Sequence, residues 1–222
     1  MTIRQTGRYE RTAIAGESVD AFVPFPLPPA DPSLEIDDTR RARIAAAEAA
    51  LSRLALAGDM VPSLDWFVYA FVRKEAVLSS QIEGTQASLV DVLSFEASGR
   101  DRASDADIEE VCNYVDAMNF ARSQLASDDG LPLSMRLLDQ THARLLRGSR
   151  GADKKPGEIR RTQNWIGGRR PGVATFVPPP PHLLAELLSA MEHAIHDEDT
   201  TPPIVRAGLL HVQFETIHPY LD

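Results

Sequence analysis

His211-Val212-Gln213-Phe214-Glu215-Thr216-Ile217-His218-Pro219-Tyr220-Leu221-Asp222 begins as a helix and breaks at a histidine. Proline has no N–H to give a helix, and its ring pushes the preceding residue out of the α region, so the helix is predicted to end at His218. His218 then stands at the edge of a loop. An imidazole there can exchange a proton near neutral pH, and Asp222, four residues on, offers a carboxylate suited to a hard cation such as Mg²⁺. A His-Pro pair also serves as a plain helix stop.

Working upstream, Pro202-Pro203 opens this helix, proline being tolerated in a first turn. Val205, Leu209, Val212 and Thr216 are predicted to face one way, and Gly208, His211, Glu215 and His218 another. The preceding helix is read over 182–196, with Leu184, Leu187, Leu188, Met191 and Ile195 inward and His193 and His196 as favourable cations at its C-terminus. Residues 160–177 are the strongest β signal. Gly167-Gly168 and Pro171-Gly172 supply turn chemistry, and Thr175-Phe176-Val177 reads as a returning strand closed by four prolines, giving a hairpin or an irregular flap. Between Arg144 and Arg170 stand nine basic residues and only Asp153 and Glu158 as acids. This is either a solvated basic face or a patch that attracts phosphates or an acidic partner.

The N-terminal half reads as helices. Residues 1–23 alternate weakly and suit a short strand or a disordered arm, and Pro24-Phe25-Pro26-Leu27-Pro28-Pro29 suits an extended strap with Phe25 and Leu27 buried. A helix starting at Asp37 or Asp38 shows Ile44, Ala47, Leu51 and Leu54 on one stripe and stops at Gly58. A second, capped by Ser63, shows Phe67, Phe71, Leu78 and Ile82 as its inner stripe. Its end reads Ser79-Ser80-Gln81-Ile82-Glu83-Gly84, where Ser79 and Glu83 share a face and Gly84 suits a left-handed stop. A Glu in a last turn opposes the helix dipole. Residues 88–96 suit a short helix, and the polar link 97–105 a boundary. Then come a long helix to Ala126, with Ile108, Val111, Val115, Met118, Arg122 and Leu125 inward, and a helix capped by Ser134 that carries His142 as a hydrogen-bonded core histidine.

Composition bounds the function. The 222 residues carry 23 Lys plus Arg against 32 Asp plus Glu, a net charge of −9 that argues against broad nucleic-acid binding. No apolar run is long enough for a membrane span and no signal peptide is apparent, so a cytoplasmic protein is expected. The single Cys112 fits a reducing compartment. No Walker-type GxxxxGK[ST] occurs, so no nucleotide is held by a P-loop.

Phe214 through Asp222 resembles the opening of the Fic motif, HPFx[D/E]GN[G/K]RxxR, with Tyr220 in place of Phe. The resemblance stops with the chain at Asp222, before the Gly-Asn-Gly-Arg stretch. Ser79 through Gly84 resembles the family's inhibitory motif [S/T]xxxE[G/N]. Pro156-Gly157-Glu158-Ile159-Arg160, Gln163-Asn164-Trp165-Ile166-Gly167-Gly168 and Phe176 through Pro181 resemble its flap. The chain is thus identified as a suspected member of the Fic family, a protein adenylyltransferase with an N-terminal inhibitory helix. The implied fold is mainly α: a Fic-like helical bundle with one β-hairpin flap, preceded by an N-terminal helical domain. The division is an arm at 1–23, an inhibitory domain at 24–100 and a Fic core at 101–222 that is incomplete at its C-terminus.

The resemblance also implies roles. AMP moves from ATP to a Ser, Thr or Tyr hydroxyl of a target protein. His218 is the general base and Asp222 holds Mg²⁺. Ser79, Glu83 and Gly84 form the inhibitory element, its Glu pairing with the last arginine of the motif. Asn164, Trp165, Ile166, Gly167, Thr175, Phe176 and Val177 dock the target segment by main-chain pairing. The expected partners are ATP, a target protein and, for an apolar face left bare, a second copy. The alternatives are a non-catalytic protein-binding relative, or an enzyme that removes AMP or moves another phosphate-containing group.

Overall fold

The computed structural model describes residues 4–82, 84–98, 106–148, 153–198 and 200–221. Mainly α is the observed class: β1 (Gly7–Ile14) and β2 (Glu17–Pro24) precede α1 (Asp38–Met60), α2 (Leu64–Ile82), α3 (Leu89–Ala97), α4 (Ala106–Ala126), α5 (Met135–Leu145), α6 (Leu184–His196) and α7 (Pro203–Ile217). Among the described residues, no helix is long and apolar enough to cross a membrane. The chain groups into two compact units, one of residues 1–54 and 159–221, the other of residues 55–158.

In the first unit the N-terminal arm is an ordered hairpin, resolving the alternative left open by its weak alternation. β1 and β2 pair antiparallel from Gly7 opposite Pro24 to Ile14 opposite Glu17. The turn is Ala15-Gly16, both with positive φ (50° and 83°), which matches the twist of paired strands. Alanine in that place is no turn signal, so the hairpin was not legible. Ile14, Val19 and Ala21 bury one face together with Val177, against Trp165 and Ala174.

Phe25, expected inside, is instead exposed. Its main chain is what the fold holds: the Phe25 N–H donates to Thr6 O at 2.9 Å, and Gln213 Nε2 donates to Phe25 O at 3.1 Å. α1 starts where expected, with Asp37 Oδ1 accepting the Arg40 N–H at 2.8 Å. Two details differ. Gly58 lies inside the helix, and Leu51 and Leu54 are exposed, because α1 buries no residue at all and is carried by its many alanines. α6 follows a 3-10 turn at Pro181–Leu183 and buries Leu184, Leu187, Leu188 and Met191 as its pattern requires.

The second unit is α2 to α5. Its core is Ala76, Val77, Ala87, Val92, Val111, Cys112 and Val115. The stripe read for α2 is the wrong one: Phe67, Phe71, Leu78 and Ile82 are exposed, and the buried face is Arg73, Ala76, Val77 and Ser80. α2 is apolar on two sides, and its small residues turn inward while Arg73 meets Glu96. Leu125 and Arg122 of α4 are also exposed, beyond the reach of the core that Val111 and Val115 join. α3 and α5 follow their local signals. Ser88 and Asp91 form a capping box, which holds the Asp91 carboxyl below its ordinary pKa through the Ser88 side-chain and backbone hydrogen bonds, and Ser134 Oγ accepts the Leu137 N–H. His142 is satisfied as expected, its Nδ1 accepting the Gly157 N–H at 2.9 Å.

Arg73 is buried at 7% exposure, and its guanidinium donates to Glu96 through Nε at 2.8 Å and Nη2 at 2.7 Å. Tyr69 lies under it, with Arg73 Cζ 3.3 Å from the ring centroid, and its hydroxyl donates to Glu96 Oε2 at 2.9 Å. Glu96→Ala leaves this cation buried without its carboxylate and is expected to cost ~3–5 kcal/mol in urea unfolding. Arg73→Met with Glu96→Ala should cost less than Glu96→Ala alone. A loss under about 1 kcal/mol for the single change would place the pair with ordinary surface ion pairs.

Candidate functional site

α7 delivers His218. The His218 N–H closes the last turn on Phe214 O at 2.9 Å, and His218 then takes the left-handed conformation, φ 48° and ψ 66°. That conformation costs a non-glycine residue on the order of 1–3 kcal/mol, and the next residue is a proline, which favours extended backbone before it. Surrounding structure must therefore hold it. Ile217, Pro219 and Tyr220 are buried, the Tyr220 and Phe214 rings lie 6.0 Å apart, and the Pro219 carbonyl accepts the Arg160 N–H at 2.8 Å. The His218 side chain is half-buried. Val212 is exposed, because α7 turns Gln213 and Ile217 to the interior.

At its other end α7 is fixed by Arg206, whose Nη2 donates to Ala194 O at 2.7 Å and also to Ile195 O. These are C-terminal carbonyls of α6, where a cation complements the helix dipole.

The flap belongs to the same unit as His218. It is irregular, closed by one antiparallel bridge between Ile166 and Phe176: Ile166 N–H to Phe176 O at 2.8 Å, with Thr175 and Phe176 N–H both on Ile166 O. Gly167 and Gly168 have φ of 69° and 80°, and a Cβ on Gly167 would stand 2.5 Å from Thr175 Oγ1. Only glycine fits that turn. Trp165 packs on the hairpin core, Val177 is buried in it, and Ile166 and Thr175 are exposed.

β2 extends this arrangement. The Phe22 N–H donates to Val177 O at 2.8 Å, and the Phe22 ring lies between Tyr9 and Phe176, with centroids 5.4 and 6.3 Å away. At the tip, Glu17 Oε2 accepts from Arg170 Nη1 at 2.7 Å and from the Gly172 N–H at 3.1 Å. The Val177 carbonyl is thus taken by β2. Asn164 Oδ1 and Gln163 Oε1 are buried without a hydrogen-bond partner.

Ser79 and Gly84 lie in the other unit. Ser79 Oγ donates to Glu75 Oε1 at 3.1 Å, and Gly84 has φ 100°, the left-handed stop its position suggested. Glu83 and Asp222 lie outside the described residues. Among the described residues no group of three or more His, Cys, Asp and Glu is arranged to hold a metal.

The described residues of the basic run have different surroundings. Arg144 stacks on the Phe120 ring at 3.7 Å, Arg170 pairs with Glu17, and Arg160 is 3% exposed, while its neighbour Arg161 is exposed. Arg160 is the residue that sequence reasoning missed. It ends the motif Pro156-Gly157-Glu158-Ile159-Arg160, which gave it no role and did not show that it, and not Arg161, would be buried.

Two family models match the chain, the Fic/DOC family N-terminal model over residues 41–123 and the Fic/DOC family model over residues 132–222. A curated relative, a protein adenylyltransferase Fic of Drosophila grimshawi, is 32% identical over 111 residues, 49% of this chain and 20% of the relative. The chain thus spans about a fifth of that relative's length. Among solved structures, a Fic family protein from Desulfovibrio desulfuricans superposes with a TM-score of 0.55 at 21% identity, covering 82% of this chain and 51% of the other. Fic-1 of C. elegans gives 0.54 at 22% identity, covering 83% and 56%. The two structures establish the likeness of fold.

Proposed function

We propose that this chain, which belongs to the Fic/DOC family, is the part of a protein adenylyltransferase that supplies the general base and the target-docking flap. The observation that carries the proposal is the placement of His218: a strained left-handed turn at the end of α7, held in the same compact unit as the flap. Strain of this kind persists where the surrounding structure over-determines it, and such places cluster at functional sites.

On this reading the imidazole of His218 takes the proton from a Ser, Thr or Tyr hydroxyl of the target. The freed oxygen attacks the α-phosphorus of ATP, the bond to the bridging oxygen breaks, and pyrophosphate leaves. Asn164 to Gly167 and Thr175 to Val177 present the target segment. Because β2 already takes the Val177 carbonyl, the target would pair along 164–167. Mg²⁺, when bound, would neutralise phosphate charge, with Asp222 as its ligand by resemblance to the motif. Residues 24–100 carry the regulation and 101–222 the chemistry.

The test uses the full-length polypeptide with ATP labelled at the α- or the γ-phosphate and extract of its own cell. Label retained on protein from the α-position alone supports AMP transfer. Label from γ alone would replace it with phosphoryl transfer, and none from either would favour a protein-binding role.

A further inference from the structure

Buried arginines ordinarily meet a carboxylate, yet every bond described for the Arg160 side chain goes to a main-chain carbonyl. Nε donates to His218 O at 2.8 Å, and Nη2 to Ile217 O at 3.3 Å and to Pro179 O at 2.7 Å. Nη1 donates to Thr162 O at 3.1 Å. Its own backbone N–H adds the bond to Pro219 O. These partners fall into two groups. Thr162 and Pro179 stand at the base of the flap, and Ile217, His218 and Pro219 form the end of α7.

The chemistry suits a fixed fork. The last carbonyls of a helix lack intrahelical donors and carry partial negative charge, so a guanidinium there is held by both hydrogen bonds and dipole. Burial pushes the Arg160 pKa down, to about 10, which leaves it charged at neutral pH. A planar guanidinium presents five donors in set directions, whereas an ammonium is a single point and cannot reach both groups with the same geometry. Its four described side-chain bonds all go to carbonyls and it is buried, so Arg160 is not offered to a phosphate despite its place in the basic run.

We propose that Arg160 is a positioning residue for His218: it fixes the left-handed turn that aims the imidazole and ties that turn to the base of the flap, so that the base and the docked hydroxyl share one frame. Its link to catalysis rests on the reading of His218 as the base. The clamp itself does not. Without the fork, His218 is free to relax toward the extended backbone that Pro219 favours. A misplacement of about 1 Å in a catalytic group costs roughly 10²-fold in rate.

The experiment is Arg160→Lys in the full-length polypeptide. Expected are a kcat lowered ~10²-fold with the KM for ATP within about twofold, and no further loss when His218→Ala is added. In NMR spectra of histidine-labelled protein, the His218 ring signals should shift and split relative to wild type. An unchanged kcat per folded molecule with a lowered Tm would overturn the proposal, reducing Arg160 to scaffold. If wild type transfers no AMP, the function fails separately, and the ring signals still decide the clamp. Identical His218 spectra in wild type and Arg160→Lys would overturn it. Should Arg160→Lys not fold, the wild-type Arg160 Nε–H decides: slow exchange with solvent supports the clamp, and exchange as fast as that of an exposed arginine overturns it.

Discussion

On the proposed role of His218 as the base, His218→Ala is expected to lower the rate of AMP transfer by about 10²–10⁴-fold, the range a positioned general base contributes. The expected loss is chemical because the turn is held through the His218 and Pro219 carbonyls, which alanine retains. Alanine keeps the unfavourable positive φ, so its stability should stay near that of wild type. His218→Gly sharpens the comparison. Glycine adopts φ 48° without a Cβ penalty, so this variant should unfold at the same or a slightly higher temperature and still transfer AMP no faster than His218→Ala. Initial rates with α-labelled ATP, set beside thermal unfolding, check both. Near-wild-type transfer by His218→Gly would remove the histidine from the chemistry. Loss of activity together with a large fall in Tm would make it a scaffold residue.

Much of the architecture was legible because local rules wrote it. Ser88 with Asp91 and Ser134 cap their helices as their spacing demands, and His218-Pro219 ends α7. Gly167-Gly168 turns the flap with two positive φ angles. What failed was decided by neighbours distant in sequence. α2 carries apolar residues on two faces, and periodicity cannot say which face α4 and Glu96 will cover. The hairpin turn uses alanine where asparagine or aspartate would have announced it. Arg160 and Arg161 are adjacent and alike in sequence, and only the carbonyls of residues 162, 179, 217 and 218 make one of them part of the interior. The helix stop at His218 was therefore readable from the chain, while the Arg160 hydrogen bonds that meet it were not.

Glu83→Gly raises the rate of AMP transfer by about 10- to 150-fold over wild type, on the proposed inhibitory role. α2 ends at Ile82 and Gly84 turns at φ 100°, and a negative charge near the C-terminus of a helix opposes the dipole. A carboxylate kept in that place gains most when a cation meets it. The resemblance assigns that cation to the last arginine of the motif, which is not among these 222 residues, so the comparison belongs to the full-length polypeptide. A charge-assisted pair contributes ~1.5–3 kcal/mol, and breaking it enlarges the ATP-competent population by the corresponding factor. Glu83→Gln keeps the shape and loses the charge, and its rate should fall between the two. Ser79→Ala should act more weakly, since the Ser79 hydroxyl is bonded back to Glu75. Initial rates at saturating ATP decide the matter. Equal labelling by wild type and Glu83→Gly would sink the inhibitory assignment while leaving His218 its role, because the base and the restraint lie on different elements and fail independently.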